Sequence, residues 1–154
     1  MPDPAPASPL QAHLGYWLRF VSNHVAHAFA RAMQARGVTV AEWVVLRALF
    51  DHADPVTPSR LAADLGLTRG AVSKLTDRLA AKALLTRATA AHDRRYQAVA
   101  LTPAGRTLVP ELAALADRND ATFFGHLAPT DRAALERVLQ DIVRRHDLRG
   151  VPIA

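Results

Sequence analysis

The chain has 154 residues, 50% of them hydrophobic, and no cysteine, so one domain can bury a core unaided while disulfides, thiolate metal sites and thiol redox sensing are excluded. A cysteine-free chain fits a reducing, cytoplasmic setting, and the lack of any charge-free run of about 18 apolar residues excludes a transmembrane helix. The formal net charge of +5 is concentrated: residues 60–106 hold nine basic side chains against three acidic ones, between nearly neutral flanks, a field suited to a phosphate backbone.

Residues 1–9 are rich in Pro and Ala without a basic start or an apolar centre, and are expected to form a disordered tail rather than a signal peptide. From Leu10 to Met33, apolar residues such as Leu14, Trp17, Leu18, Val21 and Val25 recur at three- and four-residue steps, predicting a long amphipathic helix that Arg36-Gly37 ends. Thr39 with Glu42 forms a T-x-x-E capping box for a second helix through Trp43, Leu46 and Phe50. Thr57-Pro58 opens a short helix that Gly66 terminates, and Thr68 caps the next one, from Arg69 to Leu85. Two short helices joined tightly through a glycine form a helix-turn-helix signature.

After Leu85 the period changes to that of short strands, Thr86–Thr89 and Tyr96–Leu101, predicting a hairpin whose tip, Ala90 to Arg95, has no two-residue turn signal. Thr102-Pro103 starts a helix running to about Gly125, and Pro129 introduces a last one carrying Leu135, Val138, Leu139, Ile142 and Val143. The fold expected is mainly α with a small β-hairpin, a winged helix-turn-helix flanked by N- and C-terminal helices.

The basic segment coincides with this winged module. The start of its second helix meets base edges in the major groove, which nominates Thr68, Arg69, Gly70, Ser73 and Lys74. Arg69 can address guanine O6 and N7 with two donors, Ser73 can contact several bases, and Gly70 permits close approach. Arg78 is placed to hold a phosphate, and at the hairpin tip, beside His92, Arg94 or Arg95 can enter a minor groove. The bland account of each is a solvated charged face or turn.

No Gly-rich phosphate loop, H-E-x-x-H or G-x-S-x-G occurs, so neither catalysis nor a cofactor is expected. His24 and His27 share a helical face with the spacing of metal ligands, and His13 lies nearby. Without an acidic or cysteine partner close in sequence they read as surface histidines, and a metal-sensing role stands as the alternative. An architectural DNA-binding role is a second alternative, separated by its lack of sequence preference.

The helix-turn-helix SRLAADLGLTRGAVSKLTDRLAAKALL, the wing end HDRRYQAVALTPAGR and the closing HLAPTDRAALERVL together resemble the MarR family of bacterial transcriptional regulators across nearly the whole chain. The resemblance implies one domain over residues 10–154, with 39–102 as the winged helix-turn-helix and helices in 10–36 and 103–146 pairing two subunits into a homodimer on pseudo-palindromic double-stranded DNA. It makes Asp93 an orienting carboxylate, Arg95 a minor-groove arginine and Arg94 a neighbouring phosphate contact. It also implies a ligand-responsive repressor that a small aromatic or phenolic anion releases from DNA, with Tyr16, Trp17, Arg19, His24, Trp43 and Arg47 as candidate pocket residues. Two departures from the family pattern have structural consequences. Lys82-Ala83-Leu84 replaces Lys-Gly-Leu after the recognition helix, so a left-handed glycine cap is not expected there. Ala128 replaces a capping Ser, which is expected to move the last helix start towards Thr130 or Asp131.

Overall fold

The computed structural model describes residues 1, 5–90 and 93–153, with side chains described outside 89–96. Residues 5–9 carry no regular element, and a single 3-10 turn, Leu10–Ala12, precedes the first long helix. His13 is extended, so α1 runs Leu14–Gln34 and not from Leu10 as the apolar periodicity suggests. Helix α2, Val40–Phe50, starts on the expected capping box: Glu42 N donates to Thr39 Oγ1 and Thr39 N donates to Glu42 Oε2, each at 3.1 Å.

Helices α3, Pro58–Leu65, and α4, Arg69–Ala81, are each capped by a threonine hydroxyl, Thr57 accepting from Arg60 N and Thr68 from Ala71 N. Each such cap contributes about 1 kcal/mol. Gly66 ends α3 with φ +63°, the left-handed position that lets the chain reverse into α4 within a few residues.

Helix α4 stops at Ala81, four residues before the Leu85 of the sequence expectation, and the stop corrects the reading of the cap. Ala83 adopts φ +59° although it carries a Cβ, and Leu84 N reaches back to Leu79 O at 3.0 Å. The glycine-type stop therefore forms on alanine, held by its surroundings. Thr102 Oγ1 donates to Ala83 O at 2.8 Å, and Thr102 N donates to Leu84 O at 3.1 Å.

Strands β1, Leu85–Ala90, and β2, Asp93–Leu101, pair antiparallel from Leu85↔Leu101 to Thr89↔Gln97, with a register irregularity after Thr89. They extend further towards the tip than expected. Val56, in the loop before α3, exchanges both backbone hydrogen bonds with Val99, at 2.9 and 2.8 Å, and so adds one residue of a third strand. Helix α5, Pro103–Phe124, leaves the wing with Gly105 pressed against the stop of α4, where an added Cβ would meet Leu84 O at 2.2 Å. Helix α6, Pro129–Arg145, begins at Pro129 despite the uncapped Ala128. The fixed φ of proline at the first helical position sets the start, so the expected shift to Thr130 or Asp131 does not occur.

The core lies inside the winged module, where Leu46 of α2, Leu61 of α3, Leu79 of α4 and Val99 of β2 pack with Met33 of α1 and Leu112 of α5. The outer helices are different. Helix α6 buries none of its residues, and Val138, Leu139, Ile142 and Val143 are 38–50% exposed on it. On α1, Leu14, Trp17, Leu18, Phe20 and Val21 are likewise exposed. Asn119 Nδ2 donates to Val25 O at 3.3 Å and Arg36 pairs with Glu111, fixing α1 along α5. None of the described helices is long and apolar enough to cross a membrane.

Candidate nucleic-acid interface

Helix α4 divides by its own periodicity. Val72, Leu75, Thr76 and Leu79 are buried, which turns Arg69, Gly70, Ser73, Lys74, Asp77 and Arg78 outward on one continuous face with Thr68 at its start. The sequence-nominated residues of this helix are therefore brought together. An added Cβ at Gly70 meets nothing within 4 Å, so the subunit has no internal use for a glycine there. A missing side chain on that face matters only to something that approaches from outside.

The cations of the basic segment have separate fates. Lys82 Nζ donates to Glu42 Oε2 at 2.7 Å and to Gly37 O at 2.8 Å, which ties the end of α4 to the start of α2 around a carboxylate only 1% exposed. Arg106 donates through Nη2 to His52 O at 2.8 Å and lies 5.9 Å from the centre of the Phe50 ring, closing the end of α2. Arg87, on β1, pairs with Asp77 on α4 and so fastens the wing to the recognition helix. Arg60 faces Asp64 at 3.7 Å within α3. Lys74 and Arg78 have no ion-pair partner among the described residues, and their charge is available to phosphates. The Lys82, Arg87 and Arg106 contacts join residues 10 to 56 apart, and sequence spacing carries no signal for them.

His92 lies outside the described residues. The backbone of Asp93, Arg94 and Arg95 forms the start of β2, while their side chains fall outside the description.

The six pocket candidates separate into two groups within one subunit. Tyr16, Trp17 and His24 line α1 with Phe20, the Tyr16 and Trp17 rings meeting edge to face at 5.1 Å and Phe20 stacking on His24 at 4.9 Å. Trp17 Nε1 donates to Gln11 O at 3.0 Å, and Arg19 is exposed. Trp43 packs half-buried against the core from α2, and Arg47 pairs with Asp51 at 2.8 Å. An apolar cavity of about 230 Å³ lies elsewhere, between α5 and α6, lined by Phe124, Leu127, Leu135 and Leu139 together with Asp120 and Arg132. Ligand pockets usually run from about 300 Å³ upward, so it is small for one. No group of three metal-ligating side chains occurs among the described residues, and His24 instead hydrogen-bonds Phe20 O at 2.8 Å.

A tight helix pair, an outward basic face on the second helix and an adjoining hairpin define a winged helix-turn-helix DNA-binding protein. Residues 36–95 match the MarR family. The chain is 28% identical to BpsR of Bordetella bronchiseptica, whose DNA binding is regulated by 6-hydroxynicotinic acid, with a TM-score of 0.75 over 89% of this chain and 97% of the other. It is 27% identical to CouR of Rhodococcus jostii RHA1, solved with p-coumaroyl-CoA, with a TM-score of 0.74 over 88% and 95% of the two chains. It is 26% identical over 137 residues, 88% of this chain and 82% of the other, to a protein of Thauera aromatica whose assigned role is transcriptional regulation of the hcr operon. The winged segment, residues 36–95, is thus similar to the MarR family of transcriptional regulators.

Proposed function

We propose that the protein is a homodimeric, ligand-responsive repressor that binds a pseudo-palindromic operator. The observation that carries this reading is the division of the surface. Thr68, Arg69, Gly70, Ser73, Lys74 and Arg78 form one polar, basic face on α4, while α1 and α6, at the two ends of the chain, leave apolar side chains uncovered. Exposed apolar surface of that extent calls for a partner, and pairing of like helices about a two-fold axis is the simplest way to cover it. The two recognition helices then stand about one turn of DNA apart, so the operator repeats with that spacing.

In this reading residues 10–36 and 103–146 pair the subunits and 39–102 hold the DNA. Thr68 to Lys74 read bases, Arg78 and Arg94 hold phosphates, and Arg95, oriented by Asp93, enters the minor groove. The effector belongs to the aromatic acids or their thioesters, which the relatives' ligands support. Tyr16, Trp17, Arg19, His24, Trp43 and Arg47 become pocket walls where the dimer brings α1 and α2 of two subunits together.

Selection of bound duplexes from a random pool, followed by binding measurements, tests the reading. A repressor selects an inverted repeat and prefers it about a thousandfold or more over random DNA, whereas an architectural protein shows no such preference. Sedimentation at micromolar concentration is expected to give a dimer, and a monomer there contradicts the reading.

A further inference from the structure

Arg69 is not free at the start of α4. Its Nε donates to Ser59 Oγ at 3.0 Å and its Nη2 donates to the same oxygen. Ser59 is the second residue of α3 and exposed, so this contact crosses the helix-helix turn on the face that meets DNA. A guanidinium carries its five donors in one rigid plane. With the Nε and Nη2 edge turned to Ser59, the other edge, formed by Nη1 and the second hydrogen of Nη2, is left with two parallel donors directed away from it. That end edge matches the O6 and N7 acceptors of guanine.

We propose that Ser59 is a positioning residue for sequence reading, which holds one edge of Arg69 so that the other edge is presented to a guanine. The proposal rests on the assignment of Arg69 to base reading. A neutral hydroxyl suits the task, because it restricts the arginine without cancelling the positive charge that a phosphate backbone attracts. A held arginine also has less rotamer freedom to lose when the duplex arrives.

The test uses the full chain and a duplex selected by it from a random pool. Each guanine of one half-site is replaced in turn by 7-deazaguanine, which removes the N7 acceptor. The guanine whose replacement weakens the wild type but not Arg69→Ala is the Arg69 contact. At that position Ser59→Ala is expected to reduce the discrimination ratio about fivefold, the effect of about one net hydrogen bond, and Ser59→Thr to restore it. Affinity for random duplex and the salt slope stay at wild-type values in both, which a general structural role for Ser59 does not predict. Unchanged discrimination in Ser59→Ala, or no recovery in Ser59→Thr, overturns the role of Ser59 while leaving Arg69 as the reader. Unchanged discrimination in Arg69→Ala at every guanine overturns base reading by Arg69, and the role of Ser59 with it.

Discussion

Lys82 belongs to the basic segment by sequence and to the interior by contact. Its ammonium is shared between the buried Glu42 carboxylate and Gly37 O, so truncating it leaves a desolvated carboxylate without its counter-charge. Lys82→Met is expected to cost about 2 kcal/mol in urea unfolding, below the usual range for a fully buried pair because Lys82 is itself 39% exposed. The same variant leaves the salt slope of DNA binding unchanged, since this charge is already spent. Ala83 predicts the opposite sign. An L-residue at φ +59° is held in an unfavourable conformation, and Ala83→Gly is expected to raise stability by about 0.5–1 kcal/mol in the same unfolding measurement. Gly105 has no such latitude: a Cβ placed 2.2 Å from Leu84 O forces α5 away from the stop of α4, so Gly105→Ala is expected to destabilise by about 2 kcal/mol or more.

At the scale of the element, α4 carries the account. Gly70 stands near the start of that helix with open space around it, so Gly70→Ala is expected to stabilise the isolated protein by about 0.5–1 kcal/mol and yet weaken operator binding, because the added methyl meets the duplex. A gain in melting temperature with undiminished affinity contradicts that placement. Arg69→Ala is expected to cost about 1–3 kcal/mol on the operator and to relax base preference, whereas Arg78→Ala weakens all duplexes alike and lowers the salt slope by about one. Helices α2 to α5 are legible because each opens on a local signal: Thr39 with Glu42, Thr57-Pro58, Thr68 and Thr102-Pro103 all cap as their spacing implies. The Val56–Val99 bridge was not legible, since a one-residue strand has no period. The Ser59–Arg69 and Lys82–Glu42 contacts join residues 10 and 40 apart, which only the packed helices bring together. The end of α4 lies four residues before the expected Leu85 for a related reason: intrinsic preference argues against a left-handed alanine at 83, and Thr102 from a distant segment imposes it.

At the scale of the molecule, the winged module is complete within one chain and the flanking helices are not. The core is closed around Leu46, Leu61 and Leu79, while Val138 and Ile142 of α6 and Leu18 of α1 face outward. Val138 is 50% exposed, so Val138→Glu removes little packing inside the subunit, and it is expected to leave helicity intact while shifting sedimentation from dimer towards monomer and lowering operator affinity. The most direct test of the whole account is a titration of the wild-type protein against its selected duplex, with a scrambled duplex as competitor and sedimentation used to count the chains bound. Two chains per duplex and a preference of about a thousandfold or more over the scrambled sequence are the predicted result. One chain per duplex, or equal affinity for both sequences, contradicts it.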